Sequence, residues 1–408
     1  MSIKKFPFFA YAALVLLLTW PIFEAWFPIF GKGWRWYPIG VLFGVFAVSE
    51  FFRTKQFFYF ALYSIVVLLN VFSGDKYIND PISAIARILG VYFILTAPLL
   101  ILRKGNETVA KFFSIVFLLL FIYTSIVSFI LSLQFPDVVR NDLTFTGLTD
   151  YYEYSYLYRF GLTKYQFAHS VPILIPPFVM AFRYRNVNLI RKIFYGVGIA
   201  LCIIHVFASG STTAFFVALV ALVLSFVVNE GPQEKNTRRL ILFGIILLPL
   251  MSSTVIDGLL GFIDSFLGEG AIHEHILDLQ QSARSSDVTG DLAARQDVYT
   301  ISWNEFFSSP IWGTNNNPGH HSVFLDHMAA FGLLGFFPFV MVLWLQTKTI
   351  LKRLSPNQKY YYYVCAFCTF FLLASKQVDI WTMCCFLYIA APLFFIYSSR
   401  EKSIMNKK

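Results

Sequence analysis

The residues best suited to chemistry lie in the C-terminal half. Arg295 belongs to the stretch Asp291–Phe307, where apolar residues at 292, 299, 303, 306 and 307 predict an amphipathic helix. Ser308-Ser309-Pro310 ends it, and Trp312-Gly313 turns the chain. The turn-forming run Thr314–His321 then leads into an apolar segment that begins at Val323. His321, with His320 beside it, thus stands at the mouth of that segment, and Asp326 and His327 lie about one turn deeper. Ionisable groups at such a depth are costly and point by default to function. Arginine presents a fixed fork of donors that suits phosphate or diphosphate oxygens. Histidine titrates near neutrality and can take a proton from a hydroxyl. Together they suit group transfer on a phosphate-linked lipid: the arginine would stabilise the departing diphosphate and the histidine would activate the attacking hydroxyl. The plainer reading is that outside arginines and histidines meet lipid headgroups or cap helix ends.

Two further clusters have competing readings. Tyr151–Arg159 carries five tyrosines, which could stack on sugar rings while bonding to hydroxyls, or form an aromatic belt at a membrane interface. His273-Glu274-His275, with Asp278 nearby, has metal-ligand chemistry. Residues two apart on a helix face different ways, so a solvated helix face is the simpler reading.

The scaffold that must position these groups is a membrane body. Of 408 residues, 57% are hydrophobic and only 13% charged, against roughly 25% charged in soluble domains. A spanning helix needs about 20 apolar residues. Segments near that length fall at 8–29, 37–52, 57–73, 82–102, 110–134, 169–183, 193–208, 212–228, 240–256, 322–346, 360–375 and 381–397. The runs are continuously apolar and do not alternate, which favours an all-α polytopic membrane protein of about 12 transmembrane helices over a barrel. With Lys4 and Lys5 inside, most basic residues fall on the same side, among them Arg53, Arg103, Lys104, Arg183, Arg185, Arg238, Arg239, Lys352 and Arg353. Both termini are therefore expected in the cytoplasm, and the net charge of +9 is a topology signal that requires no nucleic acid.

This gives nine membrane helices over 1–256 with an outer loop at 135–168. A large, partly helical extracytoplasmic loop follows at 257–321, then three helices and a cytoplasmic tail over 322–408. The basic, apolar N-terminus is read as a retained helix, since bulky residues around Trp20-Pro21 replace a cleavage site. Cys202, Cys365, Cys368, Cys384 and Cys385 all fall in expected spans and read as apolar filler.

Several of these stretches resemble the O-antigen ligase/polymerase (Wzy-type) family of bacterial membrane glycosyltransferases. Its pattern of a histidine, an aromatic-leucine pair and a Gly-Leu-x-Gly helix start is similar to His321, Phe324-Leu325 and Gly332-Leu333-Leu334-Gly335. Upstream, its arginine, an aromatic four residues on and a Pro-x-x-Gly turn look like Arg295, Tyr299 and Pro310-Ile311-Trp312-Gly313. Ala208–Ala214 resembles a Ser-Arg-Gly-like turn, and Arg159 resembles an arginine before a helix entry. The likeness covers roughly 155–345. Ser322 stands where the pattern has asparagine, Ala330 where it often has an acid, and Thr212 where ligases often carry a second arginine.

The resemblance implies a GT-C-like fold and metal-independent glycosyl transfer without a cofactor. A growing glycan on undecaprenyl diphosphate would be the donor, and a hydroxyl of the next lipid-linked repeat the acceptor. His321 would be the base, with His320 as its rival, and Arg295 would hold the diphosphate. Arg159, Ser211, Thr212, Tyr299 and Asp326 would contact substrate. The implied setting is the bacterial inner membrane, with the site facing outward and with flippase and chain-length regulator proteins as partners. The Ser-Gly-Ser-Thr-Thr variant at 209–213 favours a repeat-unit polymerase of O-antigen, capsule or exopolysaccharide. The alternatives are an O-antigen ligase acting on lipid A-core, a protein O-glycosyltransferase, and a flippase for lipid-linked oligosaccharide.

Overall fold

The structure, a computed structural model, describes residues 52, 54–72, 81–101, 107–135, 138–140, 157, 161–163, 165–183, 188–227, 277, 290–316 and 322–395. Among the described residues all regular structure is helical and there is no strand. The helices are α1 (Lys55–Phe72), α2 (Pro81–Ile101), α3 (Glu107–Gln134), α4 (Ile175–Arg183), α5 (Leu189–Ala208), α6 (Thr212–Val227), α7 (Gly290–Ser308), α8 (Val323–Leu351), α9 (Pro356–Ser375) and α10 (Ile380–Cys385), the last continued by a π-helical turn at Phe386–Ala390. Ser114–Gln134 of α3, the whole of α5 and the whole of α8 are long and apolar enough to cross a membrane. The spans expected at 8–29, 37–52 and 240–256 lie outside the described residues.

The chain divides into two compact units. The first comprises Met1–Phe121, Tyr299–Arg353 and Thr369–Lys408. In it α8 runs antiparallel to α1. Gln56 Nε2 donates to Gln346 Oε1 at 2.9 Å and to Thr349 Oγ1 at 3.0 Å, Tyr63 packs on Phe339 with ring centroids 5.5 Å apart, and Asn315 Nδ2 reaches the Asn70 carbonyl at 3.1 Å. Gln346 also donates to the Leu95 carbonyl of α2 at 3.3 Å. Such bonds satisfy amides that would otherwise be costly between apolar helices. Tyr388 closes the other side, its hydroxyl donating to the Leu343 carbonyl at 2.8 Å.

The second unit comprises Ile122–Val298 and Leu354–Cys368. A span was expected over 169–183, and the structure has an apolar helical segment over Val171–Arg183. A short helical turn at Tyr165–Ala168 gives way to a 3-10 turn at Val171–Leu174, and only Ile175–Arg183 is α-helical. Pro172, Pro176 and Pro177 are the reason: they lack the N–H a helix interior needs, so each sits in the first positions of a new helical stretch, where that N–H is idle. Arg183 closes the adjoining helix by donating to the Ser225 and Phe226 carbonyls at 3.1 and 2.9 Å, at the end of α6 where free carbonyls concentrate negative charge. Gly198 lets α5 approach Phe178 of α4, whose ring would lie 3.1 Å from a Cβ at that position.

Candidate functional site

The two glycine motifs singled out in the sequence meet in the first unit. Helix α8 breaks at Gly332, whose φ of 56° and ψ of −167° lie outside helical space. The break frees the carbonyls of Ala329 and Ala330 and the N–H groups of Leu333 and Leu334. The turn after α7 takes up all four. Thr314 N–H donates to Ala329 O at 2.9 Å and Asn315 N–H to Ala330 O at 3.0 Å, while Leu333 N–H reaches Pro310 O at 2.9 Å and Leu334 N–H reaches Ile311 O at 3.1 Å. The turn thus stands in for two consecutive backbone hydrogen bonds of the helix. Gly313, with φ 78°, and Gly332 face each other across this junction. A Cβ on either would overlap the other's backbone nitrogen and the carbonyl opposite, Ala330 for Gly313 and Ile311 for Gly332.

A second set of bonds joins Tyr299 of α7 and the start of α8 to the end of α9. The Tyr299 hydroxyl donates to the Ser375 carbonyl at 2.7 Å. The Ser322 hydroxyl donates to the neighbouring Ala374 carbonyl, also at 2.7 Å, and Val323 N–H reaches Lys376 O at 3.2 Å. Ser322 is in addition the N-cap of α8, accepting from Leu325 N–H at 3.2 Å. So the aromatic four residues after Arg295 and the residue directly after His321 attach to consecutive carbonyls at the end of α9. Ser302, one turn along α7 from Tyr299, donates to Asp326 Oδ1 at 3.1 Å, and both side chains are buried.

Deeper in this unit lies a cationic and aromatic stack that sequence reasoning had not assembled. His327 stacks on Phe339 at 4.7 Å, meets Phe331 edge-on at 5.5 Å, and hydrogen-bonds through Nδ1 to the Val323 carbonyl at 2.9 Å. The Arg87 guanidinium from α2 stands 6.0 Å from the centre of the same Phe331 ring. Arg87 and His327 lie 240 residues apart in the sequence, and no local spacing links them.

In the second unit Ser211 is buried. Its hydroxyl contacts His169 Nε2 at 3.1 Å and accepts from Ala214 N–H at 3.3 Å, capping α6. Gly210, at φ 63°, supplies the left-handed residue between α5 and α6. A parallel pair joins Thr163 Oγ1 to His205 Nε2 at 3.0 Å, with Ser128 Oγ 3.1 Å from the same threonine hydroxyl. Ser211 is therefore half of a buried histidine–hydroxyl pair.

The other site residues stand as follows. Arg295 lies on α7, and Thr212 opens α6; the side chains of both are outside the described residues, as are Arg159, His320, His321 and the His273/His275 pair. Cys202, Cys365, Cys368, Cys384 and Cys385 are buried and free, with Cys365 Sγ 3.3 Å from the Ile173 carbonyl. The chain matches no protein-family profile and no curated protein.

Proposed function

We propose that this chain is a multi-pass glycosyltransferase of the bacterial inner membrane, with both termini cytoplasmic. Its reaction is polymerisation of polysaccharide repeat units: a glycan moves from undecaprenyl diphosphate to a hydroxyl of the next lipid-linked repeat. His321 is the base that activates the acceptor hydroxyl. Arg295, with Arg159, balances charge on the diphosphate as the glycosidic bond to it breaks. The observation that supports this reading is the convergence of Tyr299 and Ser322 on the adjacent carbonyls of Ser375 and Ala374. Tyr299 follows Arg295 by four residues and Ser322 follows His321 directly in the sequence, and a mechanism that uses both groups requires them to be held in place.

One observation favours a flippase as the second reading, since transporters often place their sites at broken helices, and α8 is broken. Its four freed backbone groups, however, are bonded by the turn at 310–315 and are not open to a substrate.

The glycan profile of a deletion strain separates the readings. Loss of a polymerase leaves single repeat units where long chains were. Loss of a ligase leaves lipid A-core bare and lipid-linked polymer accumulating, and loss of a flippase traps the lipid-linked repeat on the cytoplasmic face. His321→Ala and Arg295→Ala, each at full protein level, are expected to abolish long chains; normal chain length in either sinks the assignment.

A further inference from the structure

The end of α7 and the turn after it carry an exposed apolar strip. Trp303 and Phe307 stack on each other, with centroids 5.6 Å apart and planes inclined by 21°. Phe307 is 67% exposed, and the strip continues through Ile311 and Trp312, which are 56% and 64% exposed. Such a surface is costly in water at about 25 cal/mol per Å². Asn304, next round the helix from Phe307, is exposed and polar, so α7 presents an apolar edge beside a wet one.

The backbone junction sets the depth of this strip. Leu333 and Leu334, to which Pro310 and Ile311 are bonded, are themselves 49% and 41% exposed, and Phe337 one turn on is 54% exposed. Helix α8 covers 29 residues in two parts joined at Gly332, up to about 43 Å at 1.5 Å per residue, which exceeds the ~30 Å hydrocarbon core. Lys348 lies in its last turn. Counting about 20 residues back from Lys348 brings the outer edge of the hydrocarbon near Met328. Gly332 and the turn bonded to it then fall just inside that edge. The apolar strip of α7 is continuous there with the lipid-facing side of a spanning helix.

We propose that Trp303, Phe307, Ile311 and Trp312 are embedded in the outer leaflet, among phospholipid acyl chains just below the headgroups. The end of the segment read from sequence as an aqueous loop is then a shallow re-entrant wedge. Its backbone is satisfied by α8, as a segment at that depth must be, and its tryptophans lie where membrane-interface aromatics are favoured. The inference needs α8 to span the bilayer and is independent of glycosyl transfer.

The test uses the full chain in phosphatidylcholine/phosphatidylglycerol vesicles, spin-labelled singly at Phe307→Cys, Trp312→Cys, Leu334→Cys or Asn304→Cys. The five native cysteines are buried. Labels at 307 and 312 are expected to collide more with oxygen than with a water-soluble nickel chelate, as at 334, and the label at 304 to do the reverse. Greater nickel access at 307 and 312, or access to neither reagent because another segment or a second copy covers them, overturns the proposal. Nickel access at 334 would overturn the membrane frame and the wedge with it. A variant without labels guards against misfolding: Trp312→Phe should remove part of the quenching of the protein's eight tryptophans by lipids brominated near the headgroup. Unchanged quenching overturns the proposal equally.

Discussion

Gly332 is held by two requirements at once. Its φ is positive, and its Cα faces the backbone of Ile311 and Gly313 with no space for a side chain. Gly332→Ala is therefore expected to lower stability by about 2–5 kcal/mol, combining left-handed strain with overpacking. Thermal unfolding of the detergent-solubilised protein measures it, and an unchanged midpoint would contradict the junction described above. Ser322 is a milder case. It stands where the resembled pattern has asparagine, and both residue types are strong N-caps. Ser322→Asn is expected to hold the start of α8, whereas Ser322→Ala should cost about 0.5–2 kcal/mol through the cap, together with its bond to Ala374. The same unfolding measurement should rank the two in that order. The sequence showed that these positions were unusual. It did not show that Gly313 and Gly332 are partners, because the need of each for glycine is created by the other's backbone.

Most helices were legible as elements. Expected segments at 57–73, 82–102, 110–134 and 212–228 lie within three residues of α1, α2, α3 and α6, because long apolar runs between polar breaks leave few alternatives. Helix α9 begins earlier than expected, at Pro356, since Ser355 N–H donates to Gln358 Oε1 at 2.8 Å and caps a polar first turn. The segment expected at 169–183 is helical over Val171–Arg183, and only its 3-10 first turn was not foreseen, because length and hydropathy are blind to prolines at 172, 176 and 177. The amphipathic helix around Arg295 was legible, and what fixes it is tertiary: Tyr299 and Ser302 bond to the end of α9 and to Asp326. Tyr299→Phe removes one such bond, worth about 0.5–1.5 kcal/mol. If α7 positions Arg295, repeat-unit polymerisation should slow by up to about tenfold, since 1.4 kcal/mol is one decade in rate. A stability change with polymerisation unaltered would assign the bond a purely structural role.

At the scale of the whole molecule the prediction is topological. Alkaline phosphatase fused within 135–168 or 257–290 should be active and green fluorescent protein dark, with the opposite result at the C-terminus. Activity at the C-terminus would mean an odd number of crossings. Composition, apolar run length and the lysine and arginine bias suffice for that expectation, because transfer into lipid depends on each segment's own chemistry. The sequence by itself thus pointed to an all-helical membrane chain with about 12 apolar segments, and among the described residues three helices are long and apolar enough to cross a membrane. Tertiary structure alone decided that α8 is broken and refilled by the turn at 310–315, that Ser211 is paired with His169, and that Arg87 and His327 share Phe331. The physical reason is that hydropathy is a sum over neighbours in sequence. A backbone hydrogen bond given up in one segment and replaced from another joins residues that the chain does not place side by side.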